Sequence, residues 1–495
     1  MPGGHDPGEP RGWRPTVSEL PKYWKRLGLR GRAEEVFSAM NITLLTLGTR
    51  GDVQPFIAFG LGLQRAGHRV CLATHGHHEA FVREYGLGFA PIAGDLQAIL
   101  ATEGGQRWLD NSTNPPRYAL QFIRYAAPLA ERGFAEIQSA CQGADLVLTT
   151  VFGMLVVYHV TECTGQPVAL ALLQPAHPTR EFPVLLSPVR SFGGVYNRMT
   201  YWLTIQAILL ASRPAMDRAR RKVLGLRGLP WNSPLGERLL QTLPSLYAFS
   251  PHVVPRPADW GAHIHLTGYW FLDAPPDYRP PEALQRFLDG GPPPVYVGFG
   301  SMTRRDPARL TRVVLEALRR TGQRGVLLRG WGGLESADLP ANVFAVDAIP
   351  HDWLFPRTAA VVHHGGAGTT AAGLRAGRPS VLTPIFGDQY FWAQRVADLG
   401  AGPPGLPHKA LTAEGLAAAI DRAVNDADLR RRAAALGEKL RAEDGVAAAV
   451  AHVAQLRAET ARPRRRRRRP WQLYLPRQLR LARKLRFPWR SWWRF

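Results

Sequence analysis

Glycines, histidines and threonines crowd into eight residues, His363, His364, Gly365, Gly366, Ala367, Gly368, Thr369 and Thr370, and an acid–amide pair, Asp388 and Gln389, follows. The apolar run 359–362 before them reads as a buried strand, and helical spacing resumes near Ala367, so the glycines form a strand-to-helix turn. Glycine lets a ligand approach the backbone, the first helical turn has free N–H groups, and the helix dipole favours negative charge there. A diphosphate fits such a place, and His364 adds a donor. The same glycines also suit a plain tight connection, and taken alone the cluster allows both uses. The second half of the segment tips the balance. A strand over 379–383 delivers Asp388 and Gln389 to its carboxyl end, the edge where ligands of open α/β sheets gather. A carboxylate beside an amide offers acceptors and donors to neighbouring sugar hydroxyls.

Residues 361–389 resemble the donor-binding signature of UDP-dependent glycosyltransferases, and PHDWLF followed by HHGGAGTT and GDQ is similar to the sterol glucosyltransferase branch of that family. The likeness continues through Thr267-Gly268-Tyr269-Trp270, through PVYVGFGSM at 294–302 and through Gly48-Thr49-Arg50-Gly51-Asp52-Val53-Gln54-Pro55, and so covers about 41 to 450. It implies the α/β GT-B architecture, two Rossmann-like parallel-sheet domains facing across a cleft, with donor on the C-terminal half and acceptor on the N-terminal half.

The elements that must position these residues follow from the patterning. From residue 41 short apolar runs alternate with helical stretches: strands over 42–47, 69–73, 145–149 and 167–171, and helices near 54–66, 76–85 and 117–142. Such alternation predicts a parallel sheet. It restarts after a proline-rich joint, with strands over 295–299, 325–328, 343–345, 359–362 and 379–383, and a helical region over 411–458 closes the second half and can cross back to the first. The resulting division is an N-terminal extension (1–40), an acceptor-binding Rossmann-like domain (41–265), a linker (266–294), a UDP-sugar-binding Rossmann-like domain (295–460) and a basic aromatic tail (461–495).

Glycosyl transfer needs a base for the acceptor hydroxyl, a grip on the departing diphosphate, and a sugar held for in-line attack. Asp52, in the loop after the first strand, is the candidate base, while residue type alone equally suits the N-cap of a helix starting near Gln54. The resemblance implies the base, because relatives use the Asp of this GxRGDxxP loop. Thr49 and Arg50 flank it, and the Arg50 guanidinium suits a donor phosphate. Gly300 and Ser301 end a strand in a turn able to present N–H and hydroxyl to phosphate, or simply to turn. Ile349-Pro350-His351 stands where related soluble glycosyltransferases carry Trp-x-Pro-Gln. Here the tryptophan place is taken by Ala348, which leaves the Ile349 backbone to read a uracil edge and His351 to reach a ribose. Trp331 offers a ring or packs in its loop; Trp353 reads as core. The donor set is thus Thr49, Arg50, Gly300, Ser301, Ile349, His351, His364, Gly366, Ala367, Gly368, Thr369, Asp388 and Gln389. No metal or other cofactor is expected, since a helix N-terminus and glycine loop can stabilise departing UDP. Asp426-Ala427-Asp428, superficially a metal motif, reads as helix capping.

Composition sets outer bounds. At 495 residues and 45% hydrophobic content the chain can bury two or three cores, which excludes a disordered protein. Cys71, Cys141 and Cys163 lack metal-type spacing and suit a reducing cytosol as small core residues. No uncharged run reaches the ~18 to 20 residues of a membrane span, and the first twenty residues lack a secretory apolar stretch. Net charge is +23, from 62 basic and 39 acidic residues, and fourteen of the positive charges lie in the acid-free stretch 461–495. That tail interleaves arginines with Trp471, Tyr474, Phe487, Trp489, Trp492, Trp493 and Phe495. Arginine seeks anionic surfaces and tryptophan the headgroup level, so the expectation is a cytoplasmic protein bound peripherally to an anionic membrane. Nucleic acid and a solvated tail are the alternatives, the former not expected as a partner.

Residues 182–210, rich in apolar and aromatic side chains, suit either a wall for a sterol-like lipid alcohol or an amphipathic helix packed in the core. The rival functions are UDP-sugar transfer to a soluble natural product, a GT-B nucleotide-sugar epimerase and, outside enzymes, a membrane or nucleic-acid adaptor. Glucose is the donor sugar the resemblance suggests; galactose or glucuronate differ by one group.

Overall fold

The computed structural model describes residues 39–94, 98, 102, 104, 105, 121, 123–185, 187, 191–229, 236–300, 307–329 and 339–460. Its apolar runs build two parallel sheets. The first has the order β3-β2-β1-β4-β5-β6-β7, with β1 Asn41–Leu45, β2 Arg69–His75, β3 Gly88–Ile92, β4 Leu146–Thr149, β5 Val168–Leu172, β6 Ser245–Tyr247 and β7 Ile264–Leu266. The second has the order β10-β9-β8-β11-β12, with β8 Val295–Gly298, β9 Gly325–Leu328, β10 Val343–Val346, β11 Ala360–His363 and β12 Ser380–Leu382. Every residue of β4, β5, β8 and β11 is buried. That is why these strands read as continuous apolar runs and not as alternations: a parallel sheet is covered on both faces.

The covering helices are α1 Arg50–Arg65, α2 Ala130–Cys141, α3 Val151–Thr164, α4 Gly194–Leu224, α5 Glu282–Asp289, α6 Pro307–Thr321, α7 His351–Leu354, α8 Ala367–Arg375, α9 Gln389–Asp398, α10 Ala413–Asn425, α11 Ala427–Arg441 and α12 Gly445–Thr460. Helix α12 crosses back to the first domain: Ala449, Val450 and Val453 join Phe56 and Ile57 of α1 in one core. A second core runs through both domains, from Leu45, Val147 and Leu170 to Leu382, Trp392 and Leu436. Truncating a wholly buried leucine such as Leu45 to alanine costs about 2–5 kcal/mol. Polar contacts add direction to this seam. Arg375 pairs with Asp273 (Nη2 to Oδ2 2.9 Å), and Arg395 donates to the Val253 carbonyl at 2.8 Å.

Both sheets reverse their winding at the middle, between β1 and β4 in one and between β8 and β11 in the other. A crevice opens at the carboxyl ends of strands at such a point. The loop after β1 carries Gly48 to Asp52, the loop after β8 carries Gly300, and the loop after β11 carries His364 to Gly366.

Some local expectations change. Helix α1 starts at Arg50, before the expected start near Gln54, because Thr49 takes the N-cap position and Pro55 is accommodated inside the helix. Asp52 is therefore the third helical residue and not the N-cap. Strands β3, β6 and β7 were not anticipated; β6 and β7 have three residues each. Asp426 caps α11 by accepting from the Leu429 N–H at 3.0 Å, as expected of a capping residue. Cys141 is buried, with its thiol pushed up to about 12 by burial, whereas Cys163 is exposed and not a core residue. Ser301, Trp331, the tail 461–495 and all of the extension but residues 39 and 40 lie outside the described residues. Among the described residues no helix is long and apolar enough to cross a membrane.

Candidate active site

The first domain contributes one acid. Asp52 Oδ2 accepts both the Thr49 N–H at 2.8 Å and the Thr49 hydroxyl at 3.1 Å, a local loop that holds the carboxylate at the end of β1. Gly48 makes room for it. With φ at +146° and a virtual Cβ only 2.2 Å from Asp52 Oδ2, this position admits no side chain. His78, buried on the neighbouring turn, bonds the Gly48 carbonyl through Nε2 at 3.2 Å. Burial raises the Asp52 pKa, partly offset by the two Thr49 hydrogen bonds. A carboxylate so placed is a stronger base than one in water.

Arg50 opens α1. Its guanidinium lies over the Phe81 ring at 4.5 Å and its Nε donates to Gln54 Oε1 at 3.4 Å. Across the cleft its positive charge reaches His351, whose pKa is lowered to about 4 by burial first and by Arg50 and His364 after it. The His351 ring stacks on Phe355 at 4.3 Å and its Nε2 lies 3.5 Å from the Tyr296 hydroxyl. Ile349 is buried, and the exposed Ala348 beside it offers a methyl group and no ring.

The glycine cradle divides its two histidines by strand alternation. His363, the last residue of β11, is fully buried, and its Nδ1 accepts the Gly365 N–H at 3.0 Å. This first histidine shapes the turn. His364 points the other way and lies between two glycines: a Cβ on Gly300 would stand 2.8 Å from its Cε1, and one on Gly366 would stand 2.6 Å from its Nε2. Burial lowers its pKa to about 4, so the ring is neutral at pH 7. Gly366 is the N-cap of α8, which begins at Ala367 as the periodicity predicts, and Ala367, Gly368 and Thr369 form its exposed or half-exposed first turn. No acidic residue occupies that turn, so its dipole and free N–H groups are available to an anion.

Asp388 and Gln389 part ways. Asp388 takes the N-cap position of α9, but its Oδ2 accepts from the Trp392 indole N–H at 2.9 Å instead of from its own helix backbone. Its pKa is raised to about 6 by burial, eased by Trp392 and increased further by the charge of Asp52. The two acids thus sense each other across the cleft. Gln389 is almost wholly buried, and its Oε1 accepts the N–H groups of Ile385 (2.8 Å) and Phe386 (3.2 Å). The amide oxygen is therefore committed to the loop, and only the NH₂ remains for a ligand. Trp392 was not anticipated as part of the site, although its i,i+4 spacing from Asp388 is a usable signal.

The structure brings Thr49, Arg50, Asp52, Gly300, Ile349, His351, His364, Gly366, Ala367, Gly368, Thr369, Asp388 and Gln389 to the facing ends of the two sheets, and among the described residues no cluster of three metal-ligating side chains accompanies them. Residues 42–167 match the model of the glycosyltransferase family 28 N-terminal domain, and residues 332–456 that of the erythromycin biosynthesis protein CIII-like C-terminal domain. Two sterol 3-beta-glucosyltransferases of Arabidopsis thaliana are each 39% identical, over 426 and 418 residues, covering 83% of this chain and 67% and 64% of their own length. One from Cryptococcus neoformans is 38% identical over 436 residues, covering 83% of this chain and 27% of its own length. The chain therefore spans about two thirds of these plant relatives and under a third of the fungal one. Among solved structures, the calicheamicin glycosyltransferase CalG4 superposes with a TM-score of 0.63 at 19% identity, over 86% of this chain and 100% of that one. The Streptomyces glycosyltransferase SsfS6, complexed with thymidine diphosphate, gives 0.53 at 21%, over 84% and 99%. At these identities the likeness establishes the two-domain GT-B fold.

Proposed function

The chain belongs to the sterol 3-beta-glucosyltransferase family, and on that footing we propose that it transfers a hexose, glucose in the first place, from a UDP-sugar to the hydroxyl of a sterol or related lipid alcohol with inversion. The observation that carries this reading is the pair of acids facing across the cleft, Asp52 held by Thr49 after β1 and Asp388 held by Trp392 after β12, beside a glycine cradle at the N-terminus of α8.

In this mechanism Asp52 takes the acceptor hydroxyl proton, the acceptor oxygen attacks the anomeric carbon, and the bond to the diphosphate breaks with its electron pair leaving on UDP. Gly366 and the first turn of α8 receive that charge through backbone N–H groups, with neutral His364 donating one more hydrogen bond. Asp388 accepts from sugar hydroxyls and the Gln389 NH₂ donates to them. An α-linked donor then yields a β-glycoside. No metal has a part in this reading. The acceptor enters from the first domain, and the arginine–tryptophan tail holds the protein peripherally at an anionic membrane.

The test is UDP release by the full chain with UDP-glucose, with and without liposomes carrying a sterol, followed by mass analysis of the lipids. Sterol-dependent release with a hexose added to the lipid is expected. Donor binding without any lipid product would overturn the acceptor assignment.

A further inference from the structure

The peptide unit that joins Gly48 to Thr49 is held at both ends. Its N–H donates to Asp52 Oδ2 at 2.8 Å, and its C=O, which a trans peptide points the opposite way, meets His78 Nε2 at 3.2 Å. A carbonyl oxygen only accepts, so Nε2 carries the hydrogen of this bond. One line of polar groups therefore runs from the imidazole through the amide to the carboxylate. His78 ends the short helical turn Gly76–His78, which follows β2 beside β1, and it is 5% exposed. The same segment grips the loop a second time: Phe81, three residues on, lies under the Arg50 guanidinium at 4.5 Å. Residues 48 and 50 are thus fastened from β2, on either side of the Thr49 that binds Asp52.

We propose that His78 is a positioning residue for Asp52, acting through the Gly48–Thr49 amide. The proposal rests on the reading of Asp52 as the base. Gly48, with φ at +146°, sits in a region that leaves its backbone little local guidance, so the plane of the next peptide needs an outside anchor. The bond from His78 supplies it, and it sets the direction of the Thr49 N–H. A donor at the carbonyl also polarises the amide and makes its N–H a stronger donor to the carboxylate. No proton travels along the line and the amide stays intact. Both Thr49 bonds fall on Asp52 Oδ2, which leaves Oδ1 to the acceptor hydroxyl.

The experiment follows the titration of Asp52 in full-length His78→Phe and His78→Gln. Phenylalanine keeps a ring without the donor, whereas the glutamine amide brings an N–H near the place of Nε2 and carries no charge. Melting temperature is recorded from about pH 3 to pH 8 for each chain with and without Asp52→Asn. Because the folded Asp52 pKa lies above 3.8, aspartate is favoured at low pH, and that advantage is lost as pH rises through the folded value. The pH of that loss marks the Asp52 titration, and kcat is read from UDP release with UDP-glucose and sterol. His77, whose ring lies 3.9 Å from that of His78, and Arg50 and Asp388, which flank and face Asp52, are the same in every variant. The Thr49 backbone bond holds the Asp52 pKa down against burial, so weakening it moves the titration up. In His78→Phe the expected shift is about 0.5–1 pH unit, with kcat about tenfold lower and UDP-sugar affinity by calorimetry unchanged. His78→Gln should restore both. An unmoved titration or an unchanged kcat in His78→Phe would overturn the proposal. So would a His78→Gln variant that behaves like His78→Phe, since the histidine's charge and not its bond would then be the cause. Should His78→Phe fail to fold, His78→Asn, whose amide is too short to reach the carbonyl, takes its place. Full turnover by Asp52→Asn alone would remove the base reading and this proposal together, whereas an inactive Asp52→Asn beside an unmoved titration removes only the role of His78.

Discussion

The Trp392 indole N–H donates to Asp388 Oδ2 at 2.9 Å, while the same ring is wholly buried and lies edge-on to Phe249 of the first domain at 6.3 Å. The orientation of Asp388 is thereby tied to the core that joins the domains. Trp392→Phe keeps a ring and removes the donor. A hydrogen bond to a charged group contributes about 1.5–3 kcal/mol, so a rise of about tenfold or more in the UDP-sugar KM is expected, with the acceptor KM unchanged. Steady-state kinetics with each substrate varied in turn check this.

Asp388 also carries a pH signature. Its folded pKa of about 6 lies above the ordinary 3.8, so the folded state holds this proton more tightly than the unfolded chain. The stabilisation is complete below about pH 4 and is lost as pH rises through 6. Asp388→Asn removes the buried charge while its amide oxygen still accepts from Trp392. The variant should therefore melt higher than wild type at pH 8, by about 1 kcal/mol of stability after allowance for its partial exposure. The two melting curves should converge near pH 4, and sugar transfer should fall sharply. A lower melting temperature at pH 8 would contradict the burial argument.

Asp52→Asn should depress kcat by about 10²- to 10⁴-fold, the usual contribution of a positioned base, with UDP-sugar affinity by calorimetry nearly intact. In wild type the acid limb of kcat/KM should lie above pH 3.8, because burial raises the Asp52 pKa. Activity should drop as pH falls through that limb and the base becomes protonated. A fully active Asp52→Asn enzyme would remove the residue from the mechanism.

The cradle was legible because its physics is local: a buried run, glycines, and a helix that begins where the periodicity resumes, at Ala367. The two sheets were legible for a similar reason, since strands buried on both faces read as unbroken apolar runs. What could not be read is how polar side chains turn. That Gln389 gives its oxygen to the Ile385 and Phe386 N–H groups, or that Asp388 bonds the Trp392 side chain and not the backbone of its helix, is a choice of rotamer that residue spacing leaves open, although the partners are only three or four residues away. Strands β6 and β7 are too short to carry a period, and they are defined by pairing in turn onto the sheet edge, β6 on β5 and β7 on β6. The choice between the two readings of residues 182–210 was open because an amphipathic pattern and an exposed apolar stripe look alike until the buried face is known.

Gly366 and His364 give the last and most discriminating case. A methyl group on Gly366 would lie 2.6 Å from His364 Nε2, a contact that the ring must relieve by turning, and Gly300 restricts it from the other side, where a Cβ would stand 2.8 Å from Cε1. Gly366→Ala therefore displaces the imidazole and narrows the approach to the N-terminus of α8, without touching Asp52 or the acceptor side. The expected result is a UDP affinity weakened at least tenfold by calorimetry. In the double variant Gly366→Ala/His364→Ala the ring is gone, so the methyl group has nothing to push against. The second substitution should then restore part of the affinity lost by the first, or at least cost far less than His364→Ala costs alone, a non-additivity that contacting residues show. Strict additivity of the two substitutions would mean that the ring and the glycine act on the diphosphate separately.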